Sequence, residues 1–225
     1  MDIEAVQINS KFKRNSITLT LVGVIALTIG IGLFLSSAAM FAPGMVCFSL
    51  GVISLVLGVS KILEPEISLD INQQGLKYHH RRGSIFIHWS NIQRIDIPRG
   101  LDGLESIKLP YIGIKLNKIN PVLDIVPGRL ATGLLTEQRP LLMSAMTLDE
   151  DLIELEDYMN SEFTPLLIND ERYRGVLAMF GHRCEMLSKN LGFHLYIPVD
   201  CLDRSADEFV NLLREYLLKV KLSQG

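Results

Sequence analysis

Charge is missing from a long part of this chain: between Ile17 and Ser60 there is no Asp, Glu, Lys, Arg or His. An uncharged apolar stretch of this length excludes an entirely water-soluble fold and indicates membrane-spanning segments. The three cysteines are few and scattered, which excludes a disulfide framework and favours a reducing compartment. Phosphate-loop and dinucleotide-binding signatures are also absent, so the sequence gives no support to the common nucleotide-binding classes.

The uncharged stretch is long enough for two membrane-spanning helices, because one crossing takes about 20 apolar residues. Phe41-Ala42-Pro43-Gly44 interrupts it near the middle and predicts the turn between the two helices. No ionisable residue lies inside either span, which argues against a proton relay or an ion path. We therefore divide the chain into a cytoplasmic N-terminal segment (1–16), a transmembrane helical hairpin (17–63) and a C-terminal cytoplasmic domain (64–225).

Basic residues flank the predicted hairpin on its outer sides. Lys11, Lys13 and Arg14 precede it and Lys61 follows it, whereas the turn carries no charge. Because positive charge marks the cytoplasmic side, both termini are predicted to be cytoplasmic in a multi-pass protein of the bacterial inner membrane. A cleaved secretory signal is the alternative, but the apolar core is longer than a usual signal and a second span follows at once.

Small residues recur along one face of each predicted span. They are Gly23, Ala26 and Gly30 in the first and Gly44, Gly51 and Gly58 in the second. Such residues let helix backbones approach closely in lipid, either between the two spans of one hairpin or between copies in a homo-oligomer. We favour packing within the hairpin, since glycine is frequent in membrane helices in general.

After residue 66 uniform apolarity gives way to alternation, which predicts a β-meander. The predicted strands are 67–71, 76–79, 85–89, 92–97 and 111–116, with a loop from Pro98 to Gly103. Helical patterns follow over 147–160 and 173–191, the second one ended by Gly192. A further strand, 193–197, is ended by Pro198.

The last element has the clearest pattern in the chain. Ser205 and Glu208 form a capping box, which predicts the start of a helix. Its apolar stripe consists of Phe209, Leu212, Leu213, Tyr216, Leu217 and Val220. A helix of this kind can cap one end of a small sheet, so the predicted fold class is α+β, with an antiparallel β-sheet, inserted helices and a C-terminal capping helix.

Three short motifs carry a resemblance to a known group of proteins. Trp89-Ser90-Asn91-Ile92, Leu195-Tyr196-Ile197-Pro198 and Ser205-Ala206-Asp207-Glu208-Phe209 resemble those of bacterial membrane-anchored proteins with a pleckstrin-homology-like (PH-like) domain. The resemblance covers about 66–118 and 193–221 and implies structural roles for Trp89, Ile92, Pro198, Phe209 and Leu213. The helical stretch 128–191 departs from the family, which has strands there. The whole chain also resembles an uncharacterised group of bacterial inner-membrane proteins.

Basic residues outnumber acidic ones from 71 to 118, and the reverse holds from 119 to 225. The basic charge concentrates at one predicted hairpin, where Lys77, His80, Arg81 and Arg82 are candidates for contact with anionic lipid headgroups. A solvated hairpin tip is the plainer interpretation. The acidic run from Asp149 to Asp157 is best explained as a solvated helix face, although it could also meet a cation or a basic partner.

No catalytic or metal-binding group emerges from the sequence. His182 and Cys184 lie two residues apart on a predicted helix, and His79 and His80 alternate across a strand, so neither pair shares a face. Cys201 with His194 is the one nucleophile and base pair to consider, and it lacks a third group and an oxyanion loop.

The sequence therefore predicts an inner-membrane protein whose PH-like domain is a non-enzymatic binding or scaffolding module, with no cofactor and no nucleic-acid partner. Its expected partners are the lipid bilayer and anionic headgroups, and also a protein or a second copy. An accessory subunit of a larger membrane complex is the alternative, and a membrane-associated enzyme is the third candidate.

Overall fold

The computed structural model describes residues 6–9, 16–62, 67–102, 105–145 and 164–224. The chain divides into two compact units, one formed by residues 10–66 and the other by all remaining residues. The predicted helix 147–160, the acidic run within it, and Lys11, Lys13 and Arg14 lie outside the described residues.

The first unit is a pair of long apolar helices, α1 (Ser16–Ser36) and α2 (Phe41–Ile62), joined through a short 3-10 turn at Ala38–Met40. Both helices are long and apolar enough to cross a membrane, with mean hydropathies of 2.4 and 2.1. The turn lies inside the predicted range, Ser36–Gly44, but it is shorter than expected, because α2 already begins at Phe41. Pro43 lies in the first turn of α2, where its missing N–H has no helical partner to lose.

Glycines bring the two helices into contact. Gly23, Gly30, Gly44, Gly51 and Gly58 are all buried between them. A Cβ atom at Gly51 would lie 2.7 Å from the backbone nitrogen of Leu27. The Ser54 hydroxyl also donates a hydrogen bond to the Leu19 carbonyl oxygen, at 3.0 Å. The recurring small residues therefore serve packing within the hairpin, as favoured from the sequence.

The second unit begins with a strand that the sequence did not predict, β1 (Val6–Asn9). It forms an antiparallel sheet with β2 (Ile67–Ile71), β3 (Gly75–His80) and β4 (Gly83–His88), in the order β1-β2-β3-β4. Ile8, on β1, is fully buried in the core of this unit. Strands β1 and β2 are neighbours in the sheet although both apolar helices lie between them in the chain.

A second antiparallel sheet has the order β11-β8-β5 and consists of β5 (Ile92–Asp96), β8 (Tyr111–Leu116) and β11 (Leu195–Pro198). Between β5 and β8 the chain forms a hairpin of β6 (Arg99–Asp102) and β7 (Glu105–Lys108). The prediction of a loop from Pro98 was therefore wrong. The β7 side chains are exposed, so this strand has no alternation of buried and exposed residues that sequence reasoning could detect.

The helices described between β8 and β11 are α3 (Asn120–Leu123), α4 (Gly128–Glu137), α5 (Arg139–Ala145) and α6 (Val176–Asn190). A short hairpin, β9 (Leu166–Ile168) and β10 (Glu171–Tyr173), precedes α6. Tyr173 was predicted to begin the helix but lies in β10, where it is buried. Gly192 follows α6 with a φ of +85°, as expected of a helix-ending glycine.

The last helix, α7 (Ala206–Gln224), packs against β5 and β8. Its predicted capping box is formed: the Ser205 backbone N–H donates to Glu208 Oε2 at 3.1 Å, and the Glu208 N–H donates to Ser205 Oγ at 3.3 Å. The fold is thus α+β, with two apolar helices, antiparallel sheets and a C-terminal helix.

Candidate functional site

The turn between β3 and β4, Arg81-Arg82, lies at one particular end of the four-stranded sheet. Strand pairing sets Asn9 beside Ile67 and His80 beside Gly83, which places both pairs at the same end. The chain therefore leaves this sheet for α1, and returns from α2, at the end that carries the basic turn. The opposite end holds the turn at Asn72, to whose carbonyl oxygen the Trp89 indole donates at 2.8 Å.

Three residues form a compact ionic group, which we call the Glu137 cluster. They are His80 at the end of β3, Arg81 in the turn and Glu137 at the end of α4. His80 Nε2 lies 3.0 Å from Glu137 Oε2, and the Arg81 guanidinium donates to Glu137 Oε1, also at 3.0 Å. The hydrogen bond from His80, helped by the one from Arg81, holds the pKa of Glu137 below its usual value against the opposing effect of burial. The carboxylate is therefore charged at neutral pH.

The hydrogen bonds of His80 define its tautomer. The Arg82 backbone N–H donates to His80 Nδ1 at 3.2 Å, so this nitrogen carries no proton. The carboxylate of Glu137 can only accept, so Nε2 carries the imidazole proton. His80 thus donates from Nε2 to Glu137, and its side chain is only 7% exposed, against 41% for Arg81. Arg81 and Glu137 supply the two opposite charges of the cluster.

The structure brings three of the four predicted headgroup residues to α4 and leaves one elsewhere. Arg82 lies along α4, where a Cβ atom at Gly133 would come within 2.7 Å of its Cδ. Lys77 is directed to the other face of the sheet, because it alternates with buried Leu76 and Tyr78. Its neighbour in the register of β2 and β3 is Asp70. His79 shares that face and lies 2.8 Å from Asp70 Oδ2.

An apolar cavity lies between the sheets close to the Glu137 cluster. Its lining residues are Tyr78, Ile85, Ile87, Leu134, Gln138, Leu195, Tyr196 and Ile197. Gln138 follows Glu137 in the chain and donates from Nε2 to the Tyr196 carbonyl oxygen at 3.3 Å. The Tyr78 hydroxyl lies 4.0 Å from Cys201 Sγ. The cavity is thus lined mainly by apolar side chains, and Tyr78 and Gln138 contribute polar atoms.

The residues considered for metal binding or catalysis do not form a site. Within the described ranges, no three His, Cys, Asp or Glu side chains could hold a metal ion together. Cys184 is buried, and burial raises the pKa of its thiol, so the thiol is protonated at neutral pH. Cys201 neighbours Tyr78, whereas His194 Nδ1 accepts a hydrogen bond from the Leu116 N–H at 3.1 Å.

A buried polar group around His194 was not anticipated from the sequence. The Lys115 ammonium donates to Ser188 Oγ, and burial, with a smaller contribution from nearby Lys115, lowers the pKa of His194 to about 4. The imidazole is therefore neutral at pH 7, and the 3.9 Å approach of Glu185 to His194 is not an ion pair under those conditions. These residues lie on β8, on α6 and just before β11, so no local sequence signal connects them.

A second unanticipated group joins the β9–β10 hairpin to α3. Asn120 Nδ2 donates to Glu171 Oε2 at 2.7 Å and to the Ile168 carbonyl oxygen at 3.0 Å. The Tyr173 hydroxyl lies 2.6 Å from Glu171 Oε2 and 2.8 Å from Asp124 Oδ1. Burial and these carboxylates raise the pKa of the Tyr173 hydroxyl, which keeps it a hydrogen-bond donor. The group satisfies its own polar atoms and fixes the hairpin in place.

The residues with expected structural roles lie in or beside the core. Trp89, Ile92, Phe209 and Leu213 are each at most 2% exposed. Pro198 is half-buried, ends β11 and pairs with Tyr111 on β8.

Two antiparallel sheets, inserted helices and a last helix define an α+β domain, and two helices able to cross a membrane accompany it. Within this class, the chain belongs to the family described as protein of unknown function DUF2982, whose model matches residues 69–219, more than half of the chain. The match begins within β2, so it covers most of the domain and leaves out β1 and the apolar helices. No curated protein and no solved structure matches the chain.

Proposed function

We propose that this is a multi-pass protein of the bacterial inner membrane, with both termini in the cytoplasm, whose domain is a non-enzymatic binding or scaffolding module at the membrane surface. The pairing of β1 with β2 carries the proposal, because these strands flank the two apolar helices in the chain. Neighbouring strands of one sheet lie on one side of a membrane. The helices must then cross and return, so the domain is connected to the membrane through two adjacent strands.

A PH-like arrangement is part of the proposal. It is supported by one sheet of four antiparallel strands, another of three, and a C-terminal helix that packs against the second sheet. The strands of the second sheet are separated in the chain by the β6–β7 hairpin and by the inserted helices. These insertions lengthen the connections between the strands of the second sheet. They do not change the order of its strands, in which β8 lies between β5 and β11.

The proposed lipid contact is the end of the sheet that carries Arg81 and Arg82. Only residues 63–66 separate β2 from α2 in the chain, and β2 begins at this end of the sheet. Basic side chains at a membrane surface are attracted to anionic lipid by about 1 kcal/mol each. A non-enzymatic role is favoured by the buried, protonated thiol of Cys184 and by the different neighbours of Cys201 and His194.

Cysteine labelling of the full chain tests the proposed topology. After the three native cysteines are replaced, Ser37→Cys reports on the turn between the helices and Asn211→Cys reports on the exposed face of α7. A membrane-impermeant maleimide applied to intact spheroplasts should label Ser37→Cys alone, and permeabilised spheroplasts should also label Asn211→Cys. Labelling of Asn211→Cys in intact spheroplasts would contradict a cytoplasmic domain.

A second candidate function, an accessory subunit of a larger membrane complex, is favoured by the last turns of α7. Leu218 and Leu222 are 60% and 82% exposed there, next to a helix face that is otherwise buried. Native mass measurement after extraction in gentle detergent distinguishes the two. A bound second protein in stoichiometric amount would support the subunit role, and a single chain would support the independent module.

A further inference from the structure

We propose that the Glu137 carboxylate occupies an anion-binding position, and that the phosphate of an anionic lipid headgroup binds there by displacing it from Arg81 and His80. The inference rests on the proposed function, which supplies the membrane surface. The predicted headgroup contact thereby gains an internal competitor, the Glu137 carboxylate. This carboxylate occupies the site until a lipid phosphate replaces it.

The donors of the Glu137 cluster suit a phosphate as well as a carboxylate. His80 Nε2 and the Arg81 guanidinium each reach a different oxygen of Glu137, both at 3.0 Å. A headgroup phosphate presents several oxygens that accept hydrogen bonds in the same way, and arginine is well suited to both anions. Because the Arg82 backbone N–H donates to His80 Nδ1, the imidazole remains oriented, with Nε2 towards the anion, when Glu137 leaves.

Glu137 is also placed where it can be displaced. It is the last residue of α4, and this helix has no basic residue in its final turn. A carboxylate at the negative end of a helix dipole is disfavoured, so its position depends on its two partners from the turn. The carboxylate side chain is 36% exposed and Arg81 is 41% exposed, so an anion arriving from solvent can reach the guanidinium.

The location of the cluster identifies lipid as the anion. The β3–β4 turn lies at the end of the sheet from which the chain leaves for α1 and to which it returns from α2. Arg82 lies next to Arg81 in this turn and supplies a second positive charge. A site with two arginines, one of them paired with an internal carboxylate, in a chain that has two apolar helices, fits a lipid ligand that carries one phosphate.

The experiment uses the full chain in nanodiscs of phosphatidylcholine alone or with about a third of phosphatidylglycerol. Hydrogen exchange is followed in the peptide that spans 77–88, and the quantity measured is the extra protection in anionic over neutral discs. Glu137→Gln should increase this difference severalfold, since the amide cannot compete as an anion. High salt and the added substitution Arg81→Gln should remove the increase. Glu215→Gln, which removes an exposed carboxylate from α7, serves as the matched control.

Each outcome is decisive. Lipid-dependent protection that is the same in the native chain and in Glu137→Gln overturns the internal competitor and leaves the proposed membrane module intact. No lipid-dependent protection in either protein overturns the headgroup contact as well. Equal protection by inorganic phosphate added to neutral discs would assign the site to a free phosphate and overturn the lipid. An equal increase in lipid-dependent protection in Glu215→Gln would show that this protection depends only on the net charge of the chain, and would overturn the competition by Glu137.

Discussion

The indole of Trp89 stacks on the phenol ring of Tyr216, with ring centroids 6.3 Å apart and an angle of 21° between the rings. Trp89 directly follows β4, and Tyr216 lies in the middle of α7. This contact therefore joins the end of the first sheet to the helix that covers the second sheet. It gives a physical reason for the sequence motif around Trp89, which is a packing signal and carries no reactive group.

Removing a buried side chain from α7 should destabilise the domain far more than removing an exposed one. Leu213 is fully buried, so Leu213→Ala should cost about 2 to 5 kcal/mol of unfolding free energy. Asn211 is exposed, and Asn211→Ala should change stability by less than about 0.5 kcal/mol. Chemical denaturation of the full chain in detergent measures both. Equal losses would mean that the apolar face of α7 is wrongly assigned.

The capping box of α7 predicts a smaller and more local effect. Ser205→Ala removes the acceptor for the Glu208 N–H and should lower stability by about 1 kcal/mol. Glu208→Gln keeps an oxygen that can accept from the Ser205 N–H, so it should lower stability by only about 0.3 kcal/mol. A larger loss in Glu208→Gln than in Ser205→Ala would contradict the hydrogen-bond assignment.

Two glycines of α1 provide a matched test of the hairpin. A Cβ atom at Gly23 would lie 2.7 Å from the Leu55 backbone nitrogen, whereas one at Gly32 would meet nothing within 4 Å. Gly23→Ala should therefore push the two helices apart and destabilise their pairing by about 1 to 3 kcal/mol. Gly32→Ala should be neutral or slightly stabilising. Unfolding of the full chain by added dodecyl sulfate in mixed micelles compares the two, and similar behaviour would refute the packing.

The buried His194 predicts a pH dependence of stability. Its pKa is about 4 in the folded chain and about 6.5 in the unfolded chain, so between these values the unfolded state binds the extra proton. Stability should therefore fall as the pH is lowered from about 6.5 to about 4, by at most about 1.4 kcal/mol per pH unit from this residue. Below about 4 the contribution should level off.

His194→Asn isolates this contribution, because the amide Oδ1 takes the place of Nδ1 and can still accept from the Leu116 N–H but does not titrate. The variant should show a flatter dependence than the native chain between pH 6.5 and 4. His88→Gln, at an exposed position, should keep the native slope. If both variants keep it, the imidazole of His194 is not buried as described.

Elements with a local signal could be predicted from the sequence. The capping box at Ser205 and the stripe that follows it identify α7, because periodicity and capping involve neighbouring residues alone. The position of Pro43 was misjudged, because a proline marks a turn and the first turn of a helix equally well. The strand Val6–Asn9 is too short to show alternation, and its partner lies beyond two helices.

The Glu137 cluster shows why a site is harder to predict than a fold. Arg81 is conspicuous within a run of basic residues, but Glu137 is one acidic residue among many in the second half of the chain. Nothing local indicates that α4 lies against the β3–β4 turn, since the contact depends on how the inserted helices pack. The basic residues of the Glu137 cluster were therefore singled out from the sequence, whereas its acidic residue required the fold.

The early position of β1 also has a consequence for biosynthesis. Ile8 leaves the ribosome before either apolar helix, yet its place in the core exists only after β2 and β3 have been made. If a single apolar helix were inserted, β1 and β2 would end up on opposite sides of the bilayer and the first sheet would lack its edge strand. In the proposed topology, formation of this sheet thus depends on insertion of both helices, and a misinserted chain would expose an unpaired β2 to cellular proteases.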